Sequence, residues 1–331
     1  MTDIEEIMQR LSKDTLAKFR LGSEISKDYI PTPSLGLNMT IGGFGVGKQT
    51  TLWGNESAGK SAMAIQSAAI AQKQGRGVGY FDAEKTFDPE WARRLGCDPD
   101  QLFVSQVSSI AEYTDVANDW IRAGVEMIVL DSTSALMPKS FYDDGQLKPF
   151  ENTGQIGQFA RELGQAGRMV QGENFSCAML HISQVRMDLA GFKPGMKASG
   201  GKETGHADSL RIKLFSGKGG DYVIPGKIQY GKNLVEEQIG RKVTWSVEKN
   251  KVNGHYGTGT YELYFLGDNV GIDKYGELIE YGKKYGIVEG STWLTVYGEK
   301  FQGKANTVNY LRDNPEVAEK LEAEILGQSV S

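Results

Sequence analysis

Short apolar runs alternate with longer segments of helical periodicity through the middle of the chain. Buried strands are predicted at 49–53, 78–82, 102–104, 127–130 and 177–182. Helices are predicted between them at 60–74, 110–123 and 157–171, with a further helix that begins near Pro89. Because strands that alternate with helices pair in parallel and are covered on both faces, the pattern predicts an α/β fold with a mostly parallel central sheet.

The two ends of the chain differ from this middle part. An amphipathic N-terminal helix is predicted over the first ~20 residues from apolar positions at helical spacing, namely Ile4, Ile7, Met8 and Leu11. A loop rich in Gly and Lys is predicted at 188–203, strands resume at 210–215 and 243–247, and short helices and charged turns follow Gly267. We therefore divide the chain into an N-terminal helix and linker at 1–33, a core domain at 34–266 and a small C-terminal domain at 267–331.

Composition and charge narrow the class of protein. The chain has 331 residues, and 37 Lys and Arg against 42 Asp and Glu give a net charge of −5. This balance excludes a basic surface over the whole protein and leaves a local basic groove open. No apolar run approaches the ~20 residues that cross a bilayer, and the N-terminus lacks the order of a signal peptide, so we expect no membrane association and a cytoplasmic location. Cys97 and Cys177 have no metal or disulfide spacing and are predicted to be buried.

A phosphate-binding motif lies between the first predicted core strand and the helix that follows it. The segment GNESAGKS matches the P-loop pattern over Gly54, Asn55, Glu56, Ser57, Ala58, Gly59, Lys60 and Ser61. Its glycines allow backbone N–H groups to close around phosphate oxygens, and the next helix offers its positive N-terminus. Lys60 is predicted to reach the β- and γ-phosphates, and Ser61 to ligate Mg²⁺. The motif therefore predicts ATP and Mg²⁺ as the cofactors.

Two carboxylates at the ends of neighbouring predicted strands are candidates for the chemistry. Asp131 follows the apolar strand at 127–130 and fits the acidic residue that holds the water shell of the metal, with a helix N-cap as the alternative. Glu84 lies just beyond the strand at 78–82, at the sheet edge where ligands bind in parallel α/β proteins. Glu84 is a candidate for the group that orients and deprotonates water, and the alternative is a solvated loop residue.

A run of motifs resembles the RecA recombinase family. The segment FDAEKTFDP at 81–89 is followed by Trp91 and an LG pair, as in that family. The likeness is collinear over nearly the whole chain and includes LDSTSALMPK, HISQVRM, Gly200 with Gly201, KNK at 249–251, YGELIEYG and GKANTVNYLRDNP. Only the N-terminal segment and 141–153 are hard to place. The resemblance implies a RecA-type P-loop NTPase core and a small C-terminal α/β domain. We assign the N-terminal helix and linker to subunit packing, and the alternative is that this helix packs on its own core.

The resemblance also implies roles in nucleotide binding and hydrolysis. In RecA-like proteins the Glu of the DAE tripeptide is the general base, which corresponds to Glu84. The Asp and the aromatic residue of the following turn contact the adenine, and they correspond to Asp88 and Trp91. A later strand ends on a Gln that senses the γ-phosphate, so Glu84, Lys60 and Gln184 form the implied catalytic set. Two lysines reach the nucleotide of the adjacent subunit, and these are Lys249 and Lys251.

Two loops line the filament axis in RecA-like proteins, which places DNA-binding loops at 140–157 and 185–203. The residues similar to the family's DNA-contacting set are Ile156, Arg161, Arg168, Arg186, Met187, Gly200, Gly201 and Arg211. Cationic groups on phosphates give affinity that is independent of sequence and sensitive to salt. The alternatives are a solvated helix face for each arginine and core packing for the two apolar residues. The implied partners are single-stranded DNA, a homologous duplex and further copies of the chain in a helical filament.

Some positions depart from the family pattern. The first loop is a few residues longer, and Gly205 and His206 stand where bacterial relatives have an aromatic residue and a lysine that couple subunits. The chain also ends without the acidic tail of many bacterial relatives. Together these features favour a phage-encoded member of the family that acts in the host cytoplasm.

The expected function is ATP-dependent homologous recombination, in which the protein polymerises on single-stranded DNA and promotes strand exchange. A ring-forming helicase or related motor shares the core fold and predicts closed rings, but the KNK pair and the GKAN module speak against it. A non-catalytic DNA-coating or mediator protein predicts no turnover, but the intact Lys60, Glu84 and Asp131 speak against it. Phosphate release and the shape of the assembly distinguish the three hypotheses.

Overall fold

A central β-sheet organises the chain. The structure is a computed structural model and describes residues 4–13, 15, 28–143, 146–147, 158–188, 195–198, 207–267 and 269–329. The strands are β1 Tyr29–Ile30, β2 Phe44–Gly45, β3 Gln49–Gly54, β4 Val78–Asp82, β5 Leu102–Ser105, β6 Met127–Asp131, β7 Tyr142–Asp143, β8 Gln146–Leu147, β9 Ala178–Asp188, β10 Gly195–Ala198, β11 Leu210–Phe215, β12 Val223–Tyr230, β13 Asn233–Asn250, β14 Thr258–Tyr264, β15 Gly271–Ile272, β16 Val288–Glu289, β17 Trp293–Val296 and β18 Glu299–Gln302. The helices are α1 Ile4–Gln9, α2 Leu35–Ile41, α3 Lys60–Lys73, α4 Pro89–Arg94, α5 Ile110–Arg122, α6 Gln158–Glu173, α7 Lys274–Lys284, α8 Gly303–Asp313 and α9 Pro315–Ser329.

Within the described residues the central sheet has eleven strands, and it is parallel through its middle. Strands β5, β4, β6, β9, β3 and β11 pair in parallel in that order. Beyond β11 the pairing turns antiparallel through β13, β14 and β15, while β10 and β12 pair with β9 and β13. The predicted α/β fold, with parallel strands at its centre, is confirmed.

The strands at the centre are buried on both faces because helices cover the sheet on either side. Every residue of β3, β4 and β6 is buried. One apolar cluster joins the sheet to the alanine-rich α3, and a second joins it to α5 and α6. Cys97 and Cys177 lie buried in these clusters, as predicted. This packing aligns the carboxyl ends of the parallel strands along one edge, which is where open α/β sheets bind ligands.

The N-terminal helix is interrupted within its predicted span, because the chain is helical again at Lys13 and Thr15. Within the described residues α1 ends at Gln9. The backbone N–H groups of Arg10 and Leu11 bond three residues back, to the carbonyl oxygens of Ile7 and Met8, so the helix closes in a tight turn. Residue 14 and residues 16–27 lie outside the described residues.

Two strands extend beyond their predicted bounds. The strand predicted at 177–182 runs to Asp188, and it pairs with β10 inside the segment predicted as a loop, so that part of the loop prediction is wrong. The strand predicted at 243–247 is a short part of β13, whose first half pairs with β12, a strand that was not predicted. Both extensions are arms of hairpins, which are held by backbone hydrogen bonds across the pair and do not require an apolar pattern.

The C-terminal part forms a small α/β unit with its own apolar core. Helices α7, α8 and α9 accompany a three-stranded antiparallel sheet of β16, β17 and β18. Leu278, Leu294, Leu311 and Leu321 belong to its apolar cluster, which also includes Leu35 of α2. This unit agrees with the predicted C-terminal α/β domain, while the exact domain boundaries stay predictions.

A buried carboxylate ties α7 to the start of α2. Glu277 accepts hydrogen bonds from the Ser34 hydroxyl at 2.9 Å and from the backbone N–H groups of Leu35 and Gly36 at 3.1 Å each. These N–H groups belong to the first turn of a helix and have no partner within it. Burial nevertheless raises the pKa of Glu277 to about 7. The C-terminal unit is therefore joined to the core through a group that titrates near neutral pH.

We expect Glu277 to lower folding stability as the pH rises. The folded protein keeps this proton up to about pH 7, whereas the unfolded chain releases it near the ordinary value of 4.5, so stability is lost between these values. In thermal unfolding, Glu277→Gln should gain several degrees relative to the wild type between pH 5 and pH 8. The exposed control Glu319→Gln should follow the wild type. Parallel curves for the wild type and Glu277→Gln would contradict this assignment.

Candidate ATP site and nucleic-acid interface

The P-loop joins β3 to α3 through glycines at positions where a side chain would not fit. Gly54 has a φ of 153°, and a Cβ there would lie 1.8 Å from the carbonyl oxygen of Leu214. Gly59 has a φ of 78° and caps α3. The loop therefore brings the N–H groups of the first turn of α3 to the edge of the sheet, as a phosphate cradle requires.

Hydrogen bonds with residues outside the motif hold the loop in this shape. Asn55 donates from Nδ2 to the carbonyl oxygen of Ser216 at 2.7 Å and accepts from its N–H at 3.2 Å. Arg241 donates from Nη1 to the carbonyl oxygen of Ser57 at 2.9 Å. Ser216 and Arg241 were not predicted from the sequence, because neither belongs to a motif and both reach the loop only through the pairing of β3, β11 and β13.

The Lys60 ammonium is buried at the P-loop. Its Nζ donates to the carbonyl oxygens of Gly54 at 3.1 Å and Asn55 at 2.8 Å. Burial lowers the pKa of Lys60, while the charges of Asp131, Glu84 and Glu56 act in the opposite direction. A phosphate would place negative charge beside a cation that is poorly solvated, which strengthens their attraction.

Asp131 and Ser61 meet at the position predicted for Mg²⁺. The carboxylate of Asp131 accepts hydrogen bonds from the hydroxyls of Ser61 and Tyr80, the latter at 2.7 Å from Oη to Oδ2. Burial raises the pKa of Asp131, and both hydrogen bonds act against this shift. A hydroxyl and a carboxylate are oxygen donors of the kind that Mg²⁺ takes beside a nucleotide, so these residues fit the metal. Tyr80 was not predicted, because it lies inside a buried strand and belongs to none of the motifs.

Glu84 and Gln184 are joined directly. Gln184 donates from Nε2 to Oε1 of Glu84 at 2.8 Å, and the Ser132 hydroxyl donates to the same oxygen. Gln184 lies opposite Gly54 in the parallel pairing of β3 with β9. The register of the sheet therefore brings the P-loop, the candidate base and the candidate γ-phosphate sensor to one edge.

Asp82, the first residue of the DAE tripeptide, shapes the loop that carries Glu84. Its buried carboxylate accepts from the backbone N–H groups of Thr86 at 2.9 Å and Phe87 at 3.1 Å. Lys85 follows Glu84 with a positive φ of 58°, which is uncommon outside glycine. Asp82 is therefore a positioning residue that the motif contained but that sequence analysis did not single out.

The two residues predicted to contact adenine belong to the start of α4. Asp88 caps this helix by accepting from the N–H of Glu90 at 2.9 Å. Trp91 is half-buried, and the guanidinium of Arg94 lies 5.4 Å from the centre of its ring. Asp88 thus has a structural role of its own, and contact of either residue with adenine stays a prediction.

Lys249 and Lys251 lie toward the far edge of the sheet, away from the edge that carries the P-loop. Lys249 pairs with Arg211 across β11 and β13, whereas Leu214 of β11 lies beside Gly54. The N–H of Lys251 bonds the carbonyl oxygen of Ser209, further still from the loop. At ~3.3 Å per residue, three to five residues of strand place these lysines ~10–17 Å from their own P-loop. Burial and the neighbouring charge of Lys251 lower the pKa of Lys249.

The described DNA-contact candidates fall into two environments. Arg161 and Arg168 are exposed and seven residues apart on α6, which puts them on one face of the helix. Arg211 instead donates from Nε and Nη2 to the fully buried carboxylate of Asp208, at 3.0 Å and 2.8 Å. The other oxygen of Asp208 accepts from Gln49 and Thr51. Arg211 is therefore anchored to a buried carboxylate inside the protein. The sequence did not reveal Asp208 as its partner.

The remaining candidates fall at the limits of the described residues. Arg186 and Met187 lie in β9 and pair with β10, and their side chains are outside the described part. The positions outside it altogether are Ile156, Gly200, Gly201, Gly205 and His206. The DNA-binding roles of this whole set stay predictions.

The fold and the site together define the class of protein. A P-loop between strand and helix, a strand-end carboxylate for a metal and a candidate general base meet at one edge of a parallel sheet, which is the arrangement of a P-loop ATPase. Among the described residues, none of the helices is long and apolar enough to span a bilayer.

Comparison with known proteins gives the family. The model of the RecA N-terminal domain matches residues 1–270, and that of the RecA C-terminal domain matches 276–329. Three similar proteins bear the name Protein RecA. That of Wolinella succinogenes is 34% identical over 98% of this chain and 89% of its own length. Those of Acidothermus cellulolyticus and Teredinibacter turnerae are each 32% identical, over 92% and 98% of this chain and 86% and 93% of their own. The chain belongs to the RecA family.

Membership confirms the predicted family, fold and function. The protein is an ATP-dependent recombinase of homologous recombination and repair that promotes strand exchange, and its enzymatic activity is DNA-dependent ATP hydrolysis. The use of a nucleotide follows from the same membership. The recombinase hypothesis therefore prevails over the helicase and mediator alternatives.

Proposed function

We propose that the chain hydrolyses ATP between successive copies of itself in a filament on single-stranded DNA, with Mg²⁺ accompanying the nucleotide. The observation that carries this proposal is the division of the site between two edges of one sheet. The P-loop, Asp131 and Glu84 lie at the carboxyl edge, while Lys249 and Lys251 lie toward the other. Head-to-tail stacking brings these two edges together, so hydrolysis depends on assembly.

Glu84 acts as the general base in this proposal. Its carboxylate accepts a proton from water, the oxygen of that water attacks the γ-phosphorus, and ADP leaves as inorganic phosphate forms. The hydrogen bonds from Gln184 and Ser132 to Oε1 hold the carboxylate in one orientation. Lys60 binds the β- and γ-phosphates. Ser61 and Asp131 would hold Mg²⁺ beside the nucleotide, where it would neutralise charge on the phosphate oxygens.

Gln184 couples this chemistry to DNA in the proposal, because β9 continues from Gln184 to Arg186 and Met187 in the predicted second DNA loop. In Gln184→Ala, the ratio of hydrolysis rates with and without single-stranded DNA should fall about tenfold, since the direct bond to Glu84 is lost. Steady-state phosphate release measures this ratio. The exposed control Gln101→Ala should keep the wild-type ratio, and an unchanged ratio in Gln184→Ala would remove Gln184 from the coupling.

Phosphate contacts from Arg161 and Arg168 would make DNA binding sensitive to salt. We expect the affinity of the assembled protein for single-stranded DNA to fall by roughly tenfold or more between 50 mM and 200 mM salt. Fluorescence anisotropy with labelled DNA measures how the affinity depends on salt concentration. The double variant Arg161→Ala with Arg168→Ala should make this dependence less steep. Arg122→Ala, on an exposed site of α5, is the matched control. Salt-insensitive binding would exclude the arginines from the DNA interface.

The second DNA partner in the proposal is a duplex homologous to the bound strand. The exposed arginines of α6 read no bases, because contacts to phosphates position DNA without specifying its sequence. Base pairing between the two DNA molecules would then supply the recognition of homology. We place this activity in the cytoplasm, where such DNA is accessible.

A further inference from the structure

A two-stranded ribbon projects from the sheet beside the P-loop. β12 pairs with β13 from Val223 to Tyr230, and within the described residues β14 supports β13 only from Gly240 onwards. We call residues 223–239 the ribbon. From Gly240 to Asn233 its arm is seven steps of strand, or ~23 Å. A two-stranded hairpin is marginally stable in water by itself, so an arm of this length gains stability when it packs against another surface.

One face of the ribbon carries three apolar residues beside Asn233 and Glu237, whereas the other face carries Leu234 among polar residues. Residues opposite each other in the pairing share a face, so Ile228, Tyr230 and Val235 lie together. Tyr230 is 50% exposed and Val235 is 40% exposed. Gly226 leaves room for Ile239 beside them, because a Cβ on Gly226 would lie 2.4 Å from Cδ1 of Ile239. An apolar face of this kind on a projecting arm is typical of an interaction surface.

The ribbon rises from the edge of the sheet that carries the P-loop. β13 runs antiparallel to β11, and β11 runs parallel to β3, so the first half of β13 extends past Gly54. Near the base of the ribbon, Arg241 donates to the carbonyl oxygen of Ser57 in the P-loop. The other end of β13 leads to Lys249 and Lys251. One strand therefore carries the ribbon at one end and the proposed trans-acting lysines at the other.

We infer that the apolar face of the ribbon packs against the next copy of this chain in the filament. The inference rests on the proposed function, in which the P-loop edge of one copy meets the lysine edge of the next. An arm that projects from the P-loop edge is continuous with that interface. The receiving edge offers Tyr256, which is 63% exposed in the loop that follows Lys251.

The charge on this face favours a protein partner over DNA. Glu237 shares the face and accepts a hydrogen bond from the Tyr230 hydroxyl, and its negative charge would repel phosphates. The contact also joins unlike surfaces of identical chains, which produces an open-ended assembly rather than a closed pair. The ribbon would thus add to filament stability without contacting the nucleotide.

The test is the protein concentration needed for half-maximal assembly. The full chain is mixed with single-stranded DNA, Mg²⁺ and a slowly hydrolysed ATP analogue, and filaments are followed by light scattering. Tyr230→Thr with Val235→Thr removes the apolar face while keeping residues that favour strands. Lys227→Thr with Gln229→Thr changes the opposite face of the same ribbon and is the matched control. Binding of a fluorescent ATP analogue to the unassembled chains is measured in parallel.

We expect the apolar-face variant to need at least about tenfold more protein, since both substitutions remove apolar area that the contact would bury. Its ATP binding and the assembly of the control should match the wild type. Tyr256→Thr should likewise raise the protein concentration needed for assembly. When all three substitutions are combined, the shift should be no larger than the greater of the two separate shifts, because both variants remove the same contact. The inference would be overturned if the apolar-face variant assembles at the wild-type concentration or if the control shifts by the same amount. It would also be overturned if the apolar-face variant no longer binds ATP or if Tyr256→Thr leaves the threshold unchanged. A wild type that binds ATP and DNA without assembling would contradict the proposed function itself.

Discussion

Glu84→Gln is expected to lower the rate of ATP hydrolysis by about 10²–10⁴-fold while the variant still binds nucleotide. An amide of the same shape can keep the hydrogen bond from Ser132 or Gln184 but cannot accept the proton of the attacking water. Filaments formed with ATP should therefore persist for longer than those of the wild type. Single-turnover phosphate release and electron microscopy of the same samples check both expectations.

The control for this experiment is Glu90→Gln. Glu90 is an exposed carboxylate on α4 that pairs with Arg93, and it lies in the same region of the sequence. It should hydrolyse ATP at the wild-type rate. If Glu84→Gln turns over ATP as fast as this control does, Glu84 is not the base, and its hydrogen bond to Gln184 is only structural.

Lys60→Ala should weaken ATP binding by about 100-fold or more, because a buried cation at the phosphates is lost. The ammonium bonds two carbonyl oxygens of the P-loop, and burial already disfavours its charge. Its removal should therefore leave the thermal stability of the nucleotide-free protein unchanged or raised. Equilibrium titration with a fluorescent ATP analogue and thermal unfolding measure the two effects.

Lys73→Ala provides the comparison, since Lys73 is exposed in the last turn of the same helix, away from the P-loop. This variant should bind ATP like the wild type. Equal ATP affinity in Lys60→Ala and Lys73→Ala would show that Lys60 does not contact the phosphates. A large fall in the stability of nucleotide-free Lys60→Ala would show that the lysine holds the loop rather than the ligand.

The carboxyl-edge residues could be predicted because each follows directly from a local pattern. The P-loop has fixed spacing, and Asp131 and Glu84 each follow a short apolar strand. Parallel pairing then aligns these strand ends, so three separate patterns in the sequence become one site. The family resemblance added Gln184, whose place opposite Gly54 depends on the register of β3 and β9.

The parts that could not be predicted depend on partners far away in the sequence. Asn55 and Ser216 are 161 residues apart and meet only because β11 lies beside β3. Arg211 was identified from the resemblance as a DNA contact, yet the structure gives it a buried partner in Asp208. The ribbon was missed for another reason, since its exposed strands lack the buried alternation by which strands are recognised.

The central claim is that two copies of the chain share each ATP, and mixing two inactive variants tests it most directly. Glu84→Gln inactivates the P-loop edge of a chain, and Lys251→Ala inactivates its lysine edge. If neighbours share the site, about a quarter of the interfaces in an equal mixture join two intact edges. DNA-dependent phosphate release should then recover to about that fraction of the wild-type rate. A mixture no faster than the sum of its two components would contradict a shared site and place all the chemistry within one chain.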